Sequence, residues 1–423
     1  MDIYIVKPGD TVYSIARDFS LSPERIMINN GIKEGDNLVV GQSILIIYPE
    51  IVHTVKRGET IYSVAQEYGV SVTDILRNNY NLMGSVSIYE GQSLVIKNKG
   101  EKDGAIFLNS YAYPYITDEN LYSALPYQTY LSPFTYGFTR EGNLVQLDDE
   151  RLISASQIYG VMPLLHLSTL TPEGNFSNEL ASVILNDKEK QKILADDILE
   201  TIQKKGFYGL DIDFEFVYSG EAELYAEFVA YLRERLNPYG YKVIVALAPK
   251  TDDEQRGLIY EGHNYSLLGE AADFAFVMTY EWGYTYGPPL AVSPYNSVRA
   301  VLDYAVSRIP NSKILMGLPN YAYDWKLPFV KGVTRADSIG NIEAVNIASQ
   351  NNAEILFDDY QKTPYFYYSK NGEEHVVWFD DARSMMLKCE LIKEYNLAGA
   401  GVWNMMRQFP QLWLILNEKY YII

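Results

Sequence analysis

Two hydrophobic periods divide the chain. In its first quarter a pattern occurs twice. "VKPGDTVYSIARDFSLSPERIMINN" (Val6–Asn30) aligns with "VKRGETIYSVAQEYGVSVTDILRNN" (Val55–Asn79), an offset of 49 residues. "GQSILI" from Gly41 and "GQSLVI" from Gly91 close the two copies. Each copy predicts a short strand, a Gly turn, a helix capped by Thr11 or Thr60, a second short helix ending at the Asn pair, and a closing strand. Val12, Ile15, Ala16 and Phe19 recur at helical spacing, as do Ile61, Val64, Ala65 and Tyr68. The copies therefore read as two small βααβ domains, 1–48 and 51–97. The polar, Gly-bounded "NKGEKDG" (Asn98–Gly104) reads as a linker, essentially 98–104.

From 105 to 423 apolar strand candidates alternate with amphipathic helices. Strands are predicted at Ala105–Tyr113, near Tyr130–Tyr136, and at Val161–Ser168, Gly209–Val217, Lys242–Pro249, Phe274–Trp282, Lys313–Tyr323 and Gly399–Met405. Between them, Ile193, Leu194, Ile198 and Ile202 form one helical stripe, stopped by Gly206, and Leu224, Phe228, Leu232 and Leu236 form another. Eight strands alternating with helices predict an α/β domain, and the count favours a closed (β/α)8 TIM barrel over an open sheet. "YFYYSKNGEEHVVWF" breaks the alternation and predicts a hairpin turning at Asn371-Gly372. Residues 326–380 are read as a small α+β insertion before the last barrel helix.

Composition narrows the function classes. The 423 residues are 48% hydrophobic, enough for a sizeable core. No apolar run approaches the ~18 residues that a membrane span needs, and "MDIYIVKPGD" does not read as a secretory signal. The single Cys389 sits in a helical pattern and reads as a core residue. A net charge of −19 argues against nucleic acid as a partner but leaves a neutral polymer such as a glycan open. The 37 tyrosines suit either sugar contacts or ordinary packing. The four histidines (His53, His166, His263, His375) are scattered along the chain, and His166 reads as a satisfied interior residue.

The sharpest feature is "GLDIDFEFV" (Gly209–Val217). Leu210, Ile212, Phe214 and Phe216 alternate with Asp211, Asp213, Glu215 and Val217. On a strand the carboxylates share one face at roughly 6.5–7 Å spacing. In a barrel that face points inward, with Glu215 nearest the C-terminal mouth where barrel active sites lie. Burial and like-charge neighbours raise carboxyl pKa values, so the cluster should hold a proton at neutral pH, as a general acid requires. Two alternatives stay open: a solvent-exposed edge strand, and a hard-metal site.

Three motifs together resemble glycoside hydrolase family 18. "YGLDIDFE" (Tyr208–Glu215) matches the DxxDxDxE signature except at its first position, where Tyr208 replaces Asp. "MTYE" (Met278–Glu281) matches the Met-x-Tyr-acid motif, and Trp403 in "GVWNM" matches the Trp of the last strand. The third strand departs, with "LLHLSTL" where Ser-x-Gly-Gly is expected. The resemblance implies a retaining, substrate-assisted glycosidase without metal or cofactor. It implies Glu215 as acid/base, Asp213 as the residue orienting the substrate acetamido group, Asp211 as its support, Tyr280 as a hydrogen-bond donor and Trp403 as the floor under the sugar. Met278, Glu281 and Trp282, with Tyr321, Tyr323, Asp324 and Trp325 of "GLPNYAYDW", are further substrate-binding candidates at strand ends.

The two N-terminal copies resemble LysM modules, with "PGDT"/"RGET" turns, "YSIA"/"YSVA" helices and "NN" pairs. The resemblance implies binding of N-acetylglucosamine-containing glycans by Gly9, Asp10, Thr11, Asn30 and Ile32, and by Gly58, Glu59, Thr60, Asn79 and Leu82. For Thr11 and Thr60 helix capping alone is an equal explanation. Two such modules before a family 18 barrel resemble the spore cortex-lytic N-acetylglucosaminidases of endospore-forming bacteria. That implies peptidoglycan or cortex fragments as substrate, germination as the setting, and the spore coat or cortex as location. A chitinase and a non-catalytic glycan-binding protein are the alternatives. Nothing in the sequence sets the oligomeric state.

Overall fold

The alternating segments after residue 104 close into a ring in the computed structural model, which describes residues 1–171 and 176–423. Among these residues, eight parallel strands follow one another around a barrel: Ala105–Ala112, Tyr130–Pro133, a third in two pieces, Gly209–Asp213, Lys242–Leu247, Phe274–Val277, Ile314–Pro319 and Gly399–Trp403. The first piece of the third strand, Met162–Pro163, pairs with the second strand, and Leu165–Ser168 pairs with the fourth. The eighth strand pairs with the first, so the ring is complete.

Strand alternation sorts the side chains. Leu210, Ile212 and Phe214 face outward and join a core with Leu194 and Ile198 of the helix Lys188–Lys205 and Phe228 and Leu232 of the helix Ala222–Leu236. Ile244, Ala246, Phe276 and Leu315 face inward and fill the barrel. Gly401 makes that filling possible, since a Cβ there would stand 2.5 Å from the Phe276 ring.

Several strands are shorter than the hydrophobic pattern predicts. The fourth ends at Asp213 and the sixth at Val277, so Glu215 and the Met278–Glu281 motif lie beyond the ladder. The apolar run continues past the ladder because the chain still covers the barrel mouth. The seventh strand ends at Pro319, and Ala322–Leu327 opens a separate antiparallel sheet. The insertion sheet thus begins at Ala322, ahead of the expected Lys326. Five strands form it, with the helix Asn341–Gln350 between two of them in sequence. Its hairpin turns at Asn371 and Gly372, whose φ values of 55° and 79° are those of a tight two-residue turn.

Each N-terminal copy pairs its first and last strands antiparallel: Asp2–Ile5 with Ser43–Ile46, and Pro49–Thr54 with Ser93–Asn98. Thr11 and Thr60 each form a capping box with Ser14 and Ser63. The second Asn of each "NN" pair is a clamp. The Asn30 amide donates to Ile26 O and Leu45 O and accepts from the Leu45 N–H. Asn79 does the same with Ile75 O, Val95 O and the Val95 N–H. The clamp ties the second helix to the closing strand, which explains why the pair repeats.

Both copies are docked on the barrel. Arg77 donates to Pro126 O (2.6 Å) and Ile422 O (3.1 Å), and Gln411 donates to Asn30 (2.8 Å). The stretch read as a linker is itself anchored: Asn98 bonds Glu418, Lys102 bonds Asn417, and Asp103 pairs with Lys393 and Lys419. At Gly41 the first copy meets the insertion backbone so closely that a Cβ would lie 1.9 Å from Ile355 O, and its φ is +85°. Gly41→Ala should therefore lower stability by on the order of 1–3 kcal/mol. Thermal unfolding together with limited proteolysis measures this, with residues 1–48 cut first.

Candidate active site

The inward face of the fourth strand carries Asp211 and Asp213, and Glu215 follows two residues later over the mouth. Asp211 is fully buried at the bottom of the column. Its Oδ2 accepts from Ser132 Oγ (2.8 Å) and Asn109 Nδ2 (3.3 Å). Burial pushes its pKa up to about 6, against the pull of these hydrogen bonds. Asp213 is also buried, and its Oδ1 has no partner among the described residues. Burial first, then the charges of Glu215 and Asp211, hold its pKa well above the carboxylate range. Glu215 is half-buried. Burial, then the charge of Glu281, raises its pKa to about 7. All three carboxyl groups of the column are thus held above the ordinary carboxylate range, with Glu215 near neutrality at the mouth.

Two histidines shape this column. His166 Nε2 stands 3.7 Å from Asp213 Oδ2, and its Nδ1 lies 2.7 Å from Thr135 Oγ1. Burial lowers its pKa to about 3, so the ring is neutral beside the acids. His263 accepts from the Ala248 N–H at Nδ1 (2.9 Å). That contact requires a bare Nδ1, which leaves Nε2–H to donate to Phe214 O (3.0 Å). His263 therefore fixes the peptide between Asp213 and Glu215. Its pKa is lowered to about 4, chiefly by burial, so the tautomer holds at neutral pH.

Aromatic rings surround the carboxylates. Tyr280 is buried among Phe276 and Tyr321. Gly317 on the seventh strand gives it room, since a Cβ there would lie 2.8 Å from its ring. Trp403 packs against Phe134 (4.8 Å between ring centres) and Tyr111 (5.5 Å) and remains partly open to solvent. Glu281 is exposed at the mouth, yet desolvation by the protein packed around it still raises its pKa. It accepts from Tyr321 Oη (2.6 Å) and Tyr323 Oη (3.3 Å). Met278 lines the same inner cluster.

The sequence profile of glycosyl hydrolases family 18 matches residues 172–407, which include Asp211, Asp213, Glu215, Tyr280 and Trp403. The chain belongs to glycosyl hydrolase family 18. LysM domain profiles match residues 4–46 and 53–97. The chain is 40% identical over 432 aligned positions to the cortical fragment-lytic enzyme of Bacillus subtilis, covering 100% of this chain and 99% of that one. Its fold resembles the spore cortex-lytic enzyme SleL of Bacillus cereus (TM-score 0.84, 34% identity, 100% and 99% covered). It likewise resembles SleL of Bacillus megaterium (TM-score 0.83, 36% identity, 100% and 98% covered). It is a glycoside hydrolase bearing two LysM domains.

Not every expected rim residue of this family 18 barrel reaches the cleft. Trp325 is wholly enclosed, its Nε1 donating to Gly287 O (2.9 Å), so it packs the insertion and offers no face to a sugar. Asp324 is buried and held by Tyr368 Oη (2.6 Å) and His375 Nδ1 (3.0 Å) inside the insertion sheet. Trp282 packs against the outer, helix-side core. In the LysM domains the Asn30 and Asn79 side chains are spent on their clamps, and Leu82 lies in the domain core. Ile32 is half-buried against the first domain's core. The turns Gly9–Thr11 and Gly58–Thr60 stay at the surface. There Asp10 accepts from Tyr4 and Lys7, and Glu59 from His53 and Lys56.

The places of Ser132, Asn109 and His263 at the column did not show in the sequence because each reaches it from a different strand or loop. Single Ser, Asn and His residues carry no local signal of that convergence. The "LLHLSTL" stretch, standing where Ser-x-Gly-Gly was expected, places His166 beside the acids instead. Gly317→Ala should displace the Tyr280 ring and lower kcat by roughly 10- to 100-fold, since small misplacements in a site carry costs of this order. Steady-state kinetics, with circular dichroism to verify folding, tests this.

Proposed function

We propose that the protein cleaves the β-linked N-acetylglucosamine bond in peptidoglycan or spore cortex fragments by a retaining, substrate-assisted route. The carboxylate column carries the reading: Glu215 near neutrality at the mouth, Asp213 with an unengaged oxygen beneath it, Asp211 anchored below. Glu215 gives its proton to the glycosidic oxygen as the bond to the anomeric carbon breaks. The substrate's own acetamido oxygen attacks that carbon and forms an oxazolinium ion. Asp213 orients the acetamido group and stabilises the developing charge, and Asp211 tunes Asp213. Tyr280 donates a hydrogen bond to the acetamido oxygen, and Trp403 supports the apolar face of the sugar. Water, losing its proton to Glu215, then reopens the ring with net retention.

The full-length likeness to cortex-lytic enzymes supports cortex fragments as substrate and the spore as location. The LysM domains then contribute glycan binding through their surface turns. Cortex fragments and chitin oligomers offered side by side, with products read by mass spectrometry, test this reading. The expected result is cleavage of cortex fragments with N-acetylglucosamine at the new reducing end. Glu215→Gln should abolish turnover while leaving binding nearly intact, and kcat should fall as pH rises through about 7, where Glu215 loses its proton. Cleavage of chitin alone, or normal turnover by Glu215→Gln, contradicts it.

A further inference from the structure

A second recess lies outside the carboxylate column, between the first LysM domain, the insertion helix Asn341–Gln350 and the start of the last helix, Pro410–Lys419. It encloses about 260 Å³. That is near the lower end of small-ligand sites, about 300–1,000 Å³, and suits one sugar ring rather than a long chain. The last helix, whose start borders the recess, follows the eighth strand directly in the chain.

Its walls are fixed. Gly31 and Gly41 bring the LysM domain against the insertion: a Cβ at Gly31 would lie 2.5 Å from Ile342 Cδ1. The Ile355 N–H donates to Val40 O (2.9 Å) across the seam. The backbone of the seam is thus held in place, and only side chains over its buried polar groups must shift to admit a ligand.

Its chemistry is neutral. Asp380 pairs with Lys388 (2.6 Å) and Asp381 with Arg383 (2.7 Å), so the acids at its edge are already compensated. At the rim, exposed Lys33 and Asp36 oppose each other in sign. What remains is amide and hydroxyl over an apolar floor that includes Phe379 and Ile355. Two of these polar groups are buried and have no partner among the described residues. Asn341, 2% exposed, accepts from the Asp380 N–H through Oδ1 (2.9 Å), but its Nδ2 donates to nothing. Ser43, also 2% exposed, has a bare Oγ. A buried polar group without a partner destabilises the fold, and a ligand supplying the partner recovers that loss.

We propose that this recess binds one N-acetylated sugar residue of the glycan. Resting on the substrate class proposed above, it is a binding subsite shared between LysM domain and insertion, separate from the catalytic cleft. The acetamido carbonyl accepts from Asn341 Nδ2, Ser43 Oγ takes the remaining polar edge, and the apolar face of the ring lies on the floor. An acidic stem peptide fits less well, because the one free cation among the described lining residues is Lys33 at the rim.

The full-length chain carrying Glu215→Gln, titrated calorimetrically with di-N-acetylchitobiose, tests this. Adding Asn346→Trp, which fills the recess from the insertion helix, should lower the binding stoichiometry by one. Should that variant melt early, Asn341→Asp keeps the acceptor for Asp380 and replaces only the donor. It should weaken the same site about tenfold, the worth of one hydrogen bond. Cellobiose, lacking acetamido groups, should give no heat at this site. Unchanged stoichiometry and affinity in both variants, equal binding of cellobiose, or displacement by a stem peptide overturns the proposal. Failure of the parent enzyme to cleave any N-acetylated glycan would sink the substrate reading on its own and is read in a separate assay.

Discussion

Three carboxyl groups crowded on one strand inside a closed barrel are the constraint around which the structure is arranged. Ionised together in so enclosed a site they would repel, and their desolvation would be costly. The fold offsets this from several directions. Asp211 receives hydrogen bonds from the first and second strands through Asn109 and Ser132. The outward residues Leu210, Ile212 and Phe214 lock the strand into the helix-side core, so the acids cannot swing out to water. His263 holds the Phe214 carbonyl and with it the spacing of Asp213 and Glu215. The residual strain appears as raised carboxyl pKa values, with that of Glu215 pushed to about 7.

The LysM domains belong to this arrangement more firmly than a pair of tethered modules would. Arg77, Gln411 and the anchored stretch 98–104 fasten them to the barrel, and Gly41 sets the first against the insertion. Removing them would uncover Tyr127, whose hydroxyl donates to Arg77 O, and would open the wall around Gln411. Loss of activity after such a deletion therefore mixes lost binding with lost packing. Point changes at the seam separate the two.

Much of this was legible in the chain. Strict alternation at Gly209–Asp213 set the inward face of the acids, and the internal repeat set both LysM domains with their capping threonines. Family 18 membership and the full-length match to cortex-lytic enzymes agree with the motifs read there. What alternation does not report is where a ladder stops, so the fourth and sixth strands proved shorter than their hydrophobic runs. Nor does it report convergence from afar. Like-charge pressure on Glu215 was expected from its own strand, yet the neighbouring charge that raises its pKa comes from Glu281 after the sixth. Motif position also overstated exposure: Trp325 and Asp324, expected at a strand end on the rim, lie within the insertion strand Ala322–Leu327 and are enclosed, and Asn30 and Asn79 hold their domains together.

The central claim is that burial and the charge of Glu281 keep Glu215 protonated near neutral pH. Titration of the Glu215 carboxyl by carbon-13 NMR, in the native chain and in Glu281→Gln, tests it most directly. The account predicts a midpoint near 7 that moves down when the Glu281 charge is removed. A midpoint near the ordinary glutamate value of about 4.3, unchanged by Glu281→Gln, would contradict it.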